Sequence, residues 1–146
     1  MRKALIWCAL VASGCLAQSP YLSKAISEEK STDFNVRFHA MVMLAREDSP
    51  QARRELVNLL KSENQVADEA VRTAGGTDAV YGENYAEYYA QLQDIVMKLA
   101  EDPAYSEGLD ALVMAGPEPD TKEAKWLALH GSTITPSIVK QISLLS

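Results

Sequence analysis

The amino-acid sequence predicts an all-α fold of stacked antiparallel helical hairpins. Strand signals are nearly absent, since no run of alternating β-branched residues is bounded by turns. Helix starts are marked by a recurring dipeptide in which proline follows an oxygen-bearing residue: Ser49-Pro50, Asp102-Pro103 and Thr135-Pro136. In each, the side-chain oxygen can cap a free backbone N–H, and proline takes the first helical position, where its missing N–H costs nothing. The segments that follow share one register. The sixth residue beyond each proline is Leu56, Leu109 or Ile142, and the ninth is Leu59, Leu112 or Leu145, a spacing that keeps one apolar face on a helix. The 146 residues suffice for one domain with a real core.

The first seventeen residues read as a secretory signal peptide. Arg2 and Lys3 form a short basic region, Ala4 to Ala12 an apolar run of nine residues, and small residues follow before Gln18, Ser19 and Pro20. The run is too short to stay in a bilayer as a spanning helix. Two processing routes are open. A peptidase can cut after Ala17, with Cys15 and Ala17 as the small residues of the site. Alternatively, "ASGC" resembles a bacterial lipobox, with Ala12 standing where leucine is usual; the signal then ends at residue 14 and Cys15 carries lipid. Both cysteines, Cys8 and Cys15, lie in this leader. The mature domain is therefore expected to have no disulfide, no thiolate nucleophile and no cysteine metal site. No N-x-S/T sequon occurs, which fits a bacterial envelope protein located in the periplasm or outside the cell.

Residues 18–32 form a linker or a first helix, and residues 33–146 the helical domain. Each proline-capped helix is preceded by another that ends near a Leu-Ala pair: Leu44-Ala45, Leu99-Ala100 and Leu127-Ala128. Gly75 with Gly76, Gly116 before Pro117, and Gly131 stand where helices should stop. The unit is helix, short turn, helix, with irregular spacing: the Leu-Ala marks lie 55 and 28 residues apart. Repetition of this kind points to a stacked helical array. Trp126 lies in a helix opened by Asp120 or Thr121, with Glu123 placed for a capping box, and is expected to pack on a last helix bearing Ile138, Val139, Ile142 and Leu145.

Two further stretches carry a family resemblance. "DFNVRFHA" holds Asp33, Val36, Arg37 and Ala40, and "DEAVRTAG" holds Asp68, Val71 and Arg72, beginning 35 residues later. The first is similar to the D-x-x-V-R-x-x-A pattern of HEAT-like repeats, and "SPQARRELVNLL" between them resembles the other helix of such a repeat. The resemblance implies a short HEAT-like α-solenoid, with one full unit and half of the next between Asp33 and Gly75. It also implies that the aspartates and arginines join hydrogen-bond ladders between stacked repeats. The residues themselves predict i,i+4 pairs, Asp33 with Arg37 and Asp68 with Arg72, and place Val36 and Val71 in the seam. Beyond Gly76 no third V-R pair appears.

Composition excludes several functions. A formal charge of −6 argues against a nucleic-acid surface held by phosphate contacts and against a basic patch on anionic lipid. Without Arg2 and Lys3, 12 basic residues face 20 acidic ones, a net near −8. Membrane attachment is expected only through lipid on Cys15. His39 has no second ligand at i+4, and His130, before Gly131, suits a helix end. Ser132 near it lacks a nucleophile elbow and an acid partner. "AGGTD" lacks the P-loop lysine and the glycine spacing of a dinucleotide site, and no calcium loop occurs. No cofactor, metal or catalytic residue is assigned.

Four of the six tyrosines fall within nine residues: Tyr81, Tyr85, Tyr88 and Tyr89. On a helical wheel Tyr81, Tyr85 and Tyr88 lie within roughly 60° of Leu92, Ile95, Val96 and Leu99, which is the pattern of a buried face. Tyr89 falls at the edge of that stripe. Tyrosine hydroxyls need partners or water, so this helix start can also serve as a wet rim that grips a peptide or glycan. The expected role is a non-catalytic protein-interaction module or scaffold in the bacterial envelope, with Tyr81, Tyr85 and Tyr89, then Arg53 and Arg54, as candidate contacts. The alternatives are a small carboxylate-dependent hydrolase and a self-associating structural lipoprotein, the latter suggested by the apolar end "QISLLS".

Overall fold

The computed structural model describes residues 19–117 and 119–130. Among them are seven α-helices and one 3-10 turn, and no strand. The leader with Cys15 lies outside the described residues, as do Gly131, Ser132, Thr135-Pro136, Ile138, Val139, Ile142 and Leu145.

Helix α1 spans Pro20–Glu28, so the segment read as a linker or helix is a helix. Ser19 caps it, accepting from the Leu22 N–H at 3.1 Å, and Pro20 opens it. Ser19-Pro20 is thus a further capping dipeptide beside Ser49-Pro50 and Asp102-Pro103. α1 buries Leu22 and Ala25 against α2, Phe34–Glu47. α2 is capped by Asp33, whose carboxylate accepts from the Asn35 N–H at 2.9 Å. Arg37, Ala40, Met41 and Leu44 are its buried residues, the i, i+3, i+4, i+7 spacing of one helix face.

Asp48 turns the chain in a left-handed conformation, φ 48°. Ser49 then caps α3, accepting from the Ala52 N–H at 3.1 Å. α3 runs unbroken through 25 residues, Pro50–Ala74, about 37 Å at 1.5 Å per residue. Its first two-thirds bury Leu56, Val57, Leu59, Leu60, Glu63 and Asn64; beyond Asn64 only Ala70 is buried. Gly75, at φ +83°, closes the helix by donating its N–H to the Val71 carbonyl.

Helix α4, Thr77–Tyr81, is one short turn with no buried residue. Gly82, at φ +80°, separates it from α5, Asn84–Ala100. α5 buries Tyr85, Tyr88, Leu92, Gln93 and Val96. Asp102 caps the 3-10 turn Pro103–Tyr105, its carboxylate accepting from the Ala104 N–H at 2.9 Å. α6, Glu107–Met114, follows. Gly108 lets α6 approach α5 closely: a Cβ there would lie 3.0 Å from Val96 Cγ1. α7, Lys122–Leu129, is capped by Thr121 and ends at His130.

α3 is the central element. α2 and α5 pack on it, and α6 packs on both α3 and α5. Leu44, Leu56, Leu60, Leu92, Val96 and Leu112 form one continuous core, each large side chain contributing about 1.5–3 kcal/mol over its exposed state.

Several sequence expectations need correction. "DEAVRTAG" does not start a new helix; it is the last stretch of α3, because no glycine or proline interrupts the chain between Pro50 and Gly75. Val71 lies not in a seam but 60% exposed. Arg72 pairs with Glu69 rather than Asp68, and Asp33 caps α2 while Arg37 reaches Glu63. Tyr81 and Tyr85 sit on two helices, not one, because of Gly82.

Candidate functional site

The most concentrated polar chemistry lies where α2, α3 and α5 meet. Glu63 projects from α3 into the core and is 0% exposed. Arg37, from α2, meets it with two guanidinium donors: Nε on Oε1, and Nη2 on Oε2 at 3.3 Å. From α5 the Tyr85 hydroxyl donates to Oε2 at 2.7 Å and the Tyr88 hydroxyl to Oε1 at 3.0 Å. The remaining Arg37 donors reach the carbonyls of Ser31 at 2.8 Å and Thr32 at 3.0 Å. Both carboxylate oxygens are therefore doubly bonded by donors, the condition for tolerating a buried ion pair.

The electrostatics follow from burial. Desolvation alone would lower the Arg37 pKa, but the hydrogen bond and charge of Glu63 outweigh it and hold it above its ordinary value. Burial, then the Glu63 charge, push the Tyr85 and Tyr88 hydroxyls well above the usual phenol range. They stay neutral donors. The adjacent Tyr89 hydroxyl donates to Asn64 Oδ1, and Asn64 Nδ2 donates to the Ala111 carbonyl at 2.8 Å, which links α5, α3 and α6.

The aromatic rings close over this network. Tyr81 stacks on Tyr85 at 4.9 Å, and Phe34 meets Tyr85 edge-on at 5.7 Å. Of the four tyrosines, Tyr85 and Tyr88 are fully buried and Tyr81 and Tyr89 are half-buried. Tyr85, expected as a candidate contact, is out of reach of a partner because its ring and hydroxyl are both spent inside. Tyr89, expected at the exposed edge, has its hydroxyl held by Asn64. Arg53 is also engaged: its Nε bonds Asp48 at 2.8 Å and its guanidinium lies 5.8 Å over the Tyr105 ring. Arg54 is exposed and lines a cleft of about 330 Å³ with Asn58, Tyr105, Ser106 and Glu107.

A larger open cleft, about 430 Å³, lies between α1 and α2 and is lined by Tyr21, Lys24, His39, Met43, Arg46 and Glu47. Sequence reading assigned none of these residues to a surface. His39 is exposed, and its Nδ1 sits 2.6 Å from Glu28. His130 does occupy a helix end: its ring stacks on Trp126 at 4.1 Å and its Nδ1 lies 2.8 Å from the Trp126 carbonyl.

Two acids meet at the junction of α1 and α3. Burial, and then the charge of Glu55, push the Glu29 carboxyl up to about 7. Glu29 Oε2 is buried without a hydrogen bond. Neither acid lines the two clefts. Among the described residues no group of His, Cys, Asp and Glu is arranged to hold a metal ion, and no helix is long and apolar enough to cross a membrane. Compared with protein-family models, with curated proteins and with solved structures, the chain matches none.

Proposed function

We propose that this protein is an exported, non-catalytic binding module that engages another protein of the bacterial envelope, its helices stacking as antiparallel hairpins in the manner of HEAT-like repeats. The observation that carries the reading is how the polar chemistry is divided. The acid, guanidinium and phenols best placed for reaction are spent on one another inside the core. Exposed aromatic and cationic side chains instead stand at surface clefts, Tyr21 with Arg46 at one and Arg54 at the other. Tyrosine and arginine are the side chains that contribute most at protein interfaces. Export rests on the basic, apolar and small-residue order of the first seventeen residues, with release after Ala17 or anchoring through Cys15 as its two forms.

Affinity capture tests the role. The full chain is immobilised, exposed to native envelope extract, and compared with a Tyr21→Ala, Arg54→Ala chain. A protein retained by the parent and lost from the double variant is the expected result. Eluates that are identical for the two chains contradict the proposal.

A further inference from the structure

We infer that the groove between the starts of α2 and α5 takes a lysine side chain of the partner, with its ammonium against Glu87 and its methylene stem across the rings of Phe34 and Phe38. This rests on the binding role proposed above and gives that role a further place and a chemistry. The groove is lined by Phe34, Asn35 and Phe38 of α2 and by Asn84, Glu87 and Tyr88 of α5. Its volume, about 150 Å³, is below the roughly 300–1,000 Å³ of sites that enclose a small molecule and suits a single long side chain.

The floor is aromatic and held from inside. Phe34 and Phe38 are the only phenylalanines of the chain, and both are half-buried, so part of each ring stays open. The Tyr88 ring packs against them at 6.3 and 5.7 Å, and its hydroxyl is fixed on Glu63 Oε1 at 3.0 Å. Rings already in place have little freedom left to lose on binding. Aromatic faces attract a cation through their quadrupole and cover the apolar stem of a lysine.

The charge is one-sided. Glu87 is the only charged residue of the lining. It is exposed, and among the described residues only the Gln91 amide engages it, donating to Oε1 at 3.2 Å. Asp33 and Glu83, which immediately precede Phe34 and Asn84, are exposed as well. None of the three acids is in an ion pair among the described residues. The N-termini of α2 and α5 together add roughly one positive charge, which leaves the three carboxylates in excess. One Glu87 oxygen is already bonded, so a compact ammonium suits the other better than a guanidinium, whose fork grips both oxygens of a carboxylate. Charges of this kind act mainly on association and on discrimination between partners.

The test is an amide chemical-shift titration of the isotope-labelled full chain with two six-residue peptides. One alternates Lys and Gly; the other carries acetyl-lysine at the same positions, which keeps the stem and removes the charge. The expected result is saturable shifts at residues 34–38 and 84–88 with the lysine peptide alone, weakened as salt rises. Glu87→Gln should weaken binding about two- to fivefold, as loss of an exposed ion pair does. Phe38→Leu should weaken it by about the same factor, as loss of an exposed cation–π contact does. Glu101→Gln, which removes the same charge beyond the far end of α5, should leave it unchanged. Glu87 is exposed, and a dispersed amide spectrum for each variant confirms folding.

Equal binding of both peptides, shifts with no maximum in the groove, or full binding by Glu87→Gln overturns the inference. So does saturation of the groove by chitotriose, titrated in parallel, with no response to the lysine peptide, since the occupant is then a neutral glycan. If the lysine peptide fails while an envelope protein is still captured by the parent and lost from the Tyr21→Ala, Arg54→Ala chain, the binding role stands and only this placement falls.

Discussion

Glu63 is the residue on which the core turns, and it drew no attention in the sequence. It lies in a polar-looking stretch, "KSENQ", yet its position was legible. Leu56, Leu59, Leu60 and Glu63 follow the i, i+3, i+4, i+7 spacing of one buried face. A carboxylate on that face must find donors, and Arg37, Tyr85 and Tyr88 supply them. Arg37→Ala strands the Glu63 charge in the core and should cost about 3–5 kcal/mol, read as the shift in a urea unfolding curve. The three-helix convergence was not legible, because it depends on how α2 and α5 pack on α3. Glu29 supplies a pH-dependent counterpart. Its carboxyl is raised from an ordinary value of 4.5 to about 7 in the folded chain. Between those values the native state holds the proton more tightly than the unfolded state does. The contribution is therefore full below the unfolded value and is lost as pH rises through about 7. Glu29→Gln should be more stable than the parent near pH 8, with the difference fading toward about pH 5; unfolding midpoints across that range check the sign.

At the scale of elements, the ends of helices were more legible than their continuity. Ser49 and Thr121 cap α3 and α7, Gly75 and Gly116 stop α3 and α6 at positive φ, and the Leu-Ala pairs fall in the last turns of α2, α5 and α7. These signals are local backbone chemistry and survive any tertiary context. The joining of residues 50–74 into one helix was missed because the resemblance of "DEAVRTAG" to a repeat start implied a new unit there. Glycine and proline end a helix. The break at Gly82 was hidden by the opposite effect, since Tyr81 keeps the apolar period of α5 across it. Gly75 and Gly108 separate two uses of glycine. A Cβ on Gly75 meets nothing within 4 Å, so Gly75→Ala should cost only the left-handed backbone penalty, about 1–2 kcal/mol, seen as a lowered unfolding midpoint. At Gly108 the backbone is ordinary and the constraint is Val96, against which α6 closes.

For the whole molecule, the all-helical class followed from the absence of strand signals and the abundance of caps, and the described residues agree. The arrangement around α3 was not legible, because a register of leucines shows which face is buried and not which helix covers it. The tyrosine stripe was readable as a buried face, yet its hydroxyls could be assigned only once their acceptor was known. That assignment is the central claim: the tyrosines hold the core together around Glu63. Equilibrium urea unfolding of Tyr85→Phe against the parent chain tests it most directly, because the change removes one oxygen and keeps the ring. Loss of a hydrogen bond to a buried carboxylate predicts a destabilisation of about 1.5–3 kcal/mol with an unchanged dependence on denaturant. An unfolding curve that superimposes on that of the parent would contradict the claim.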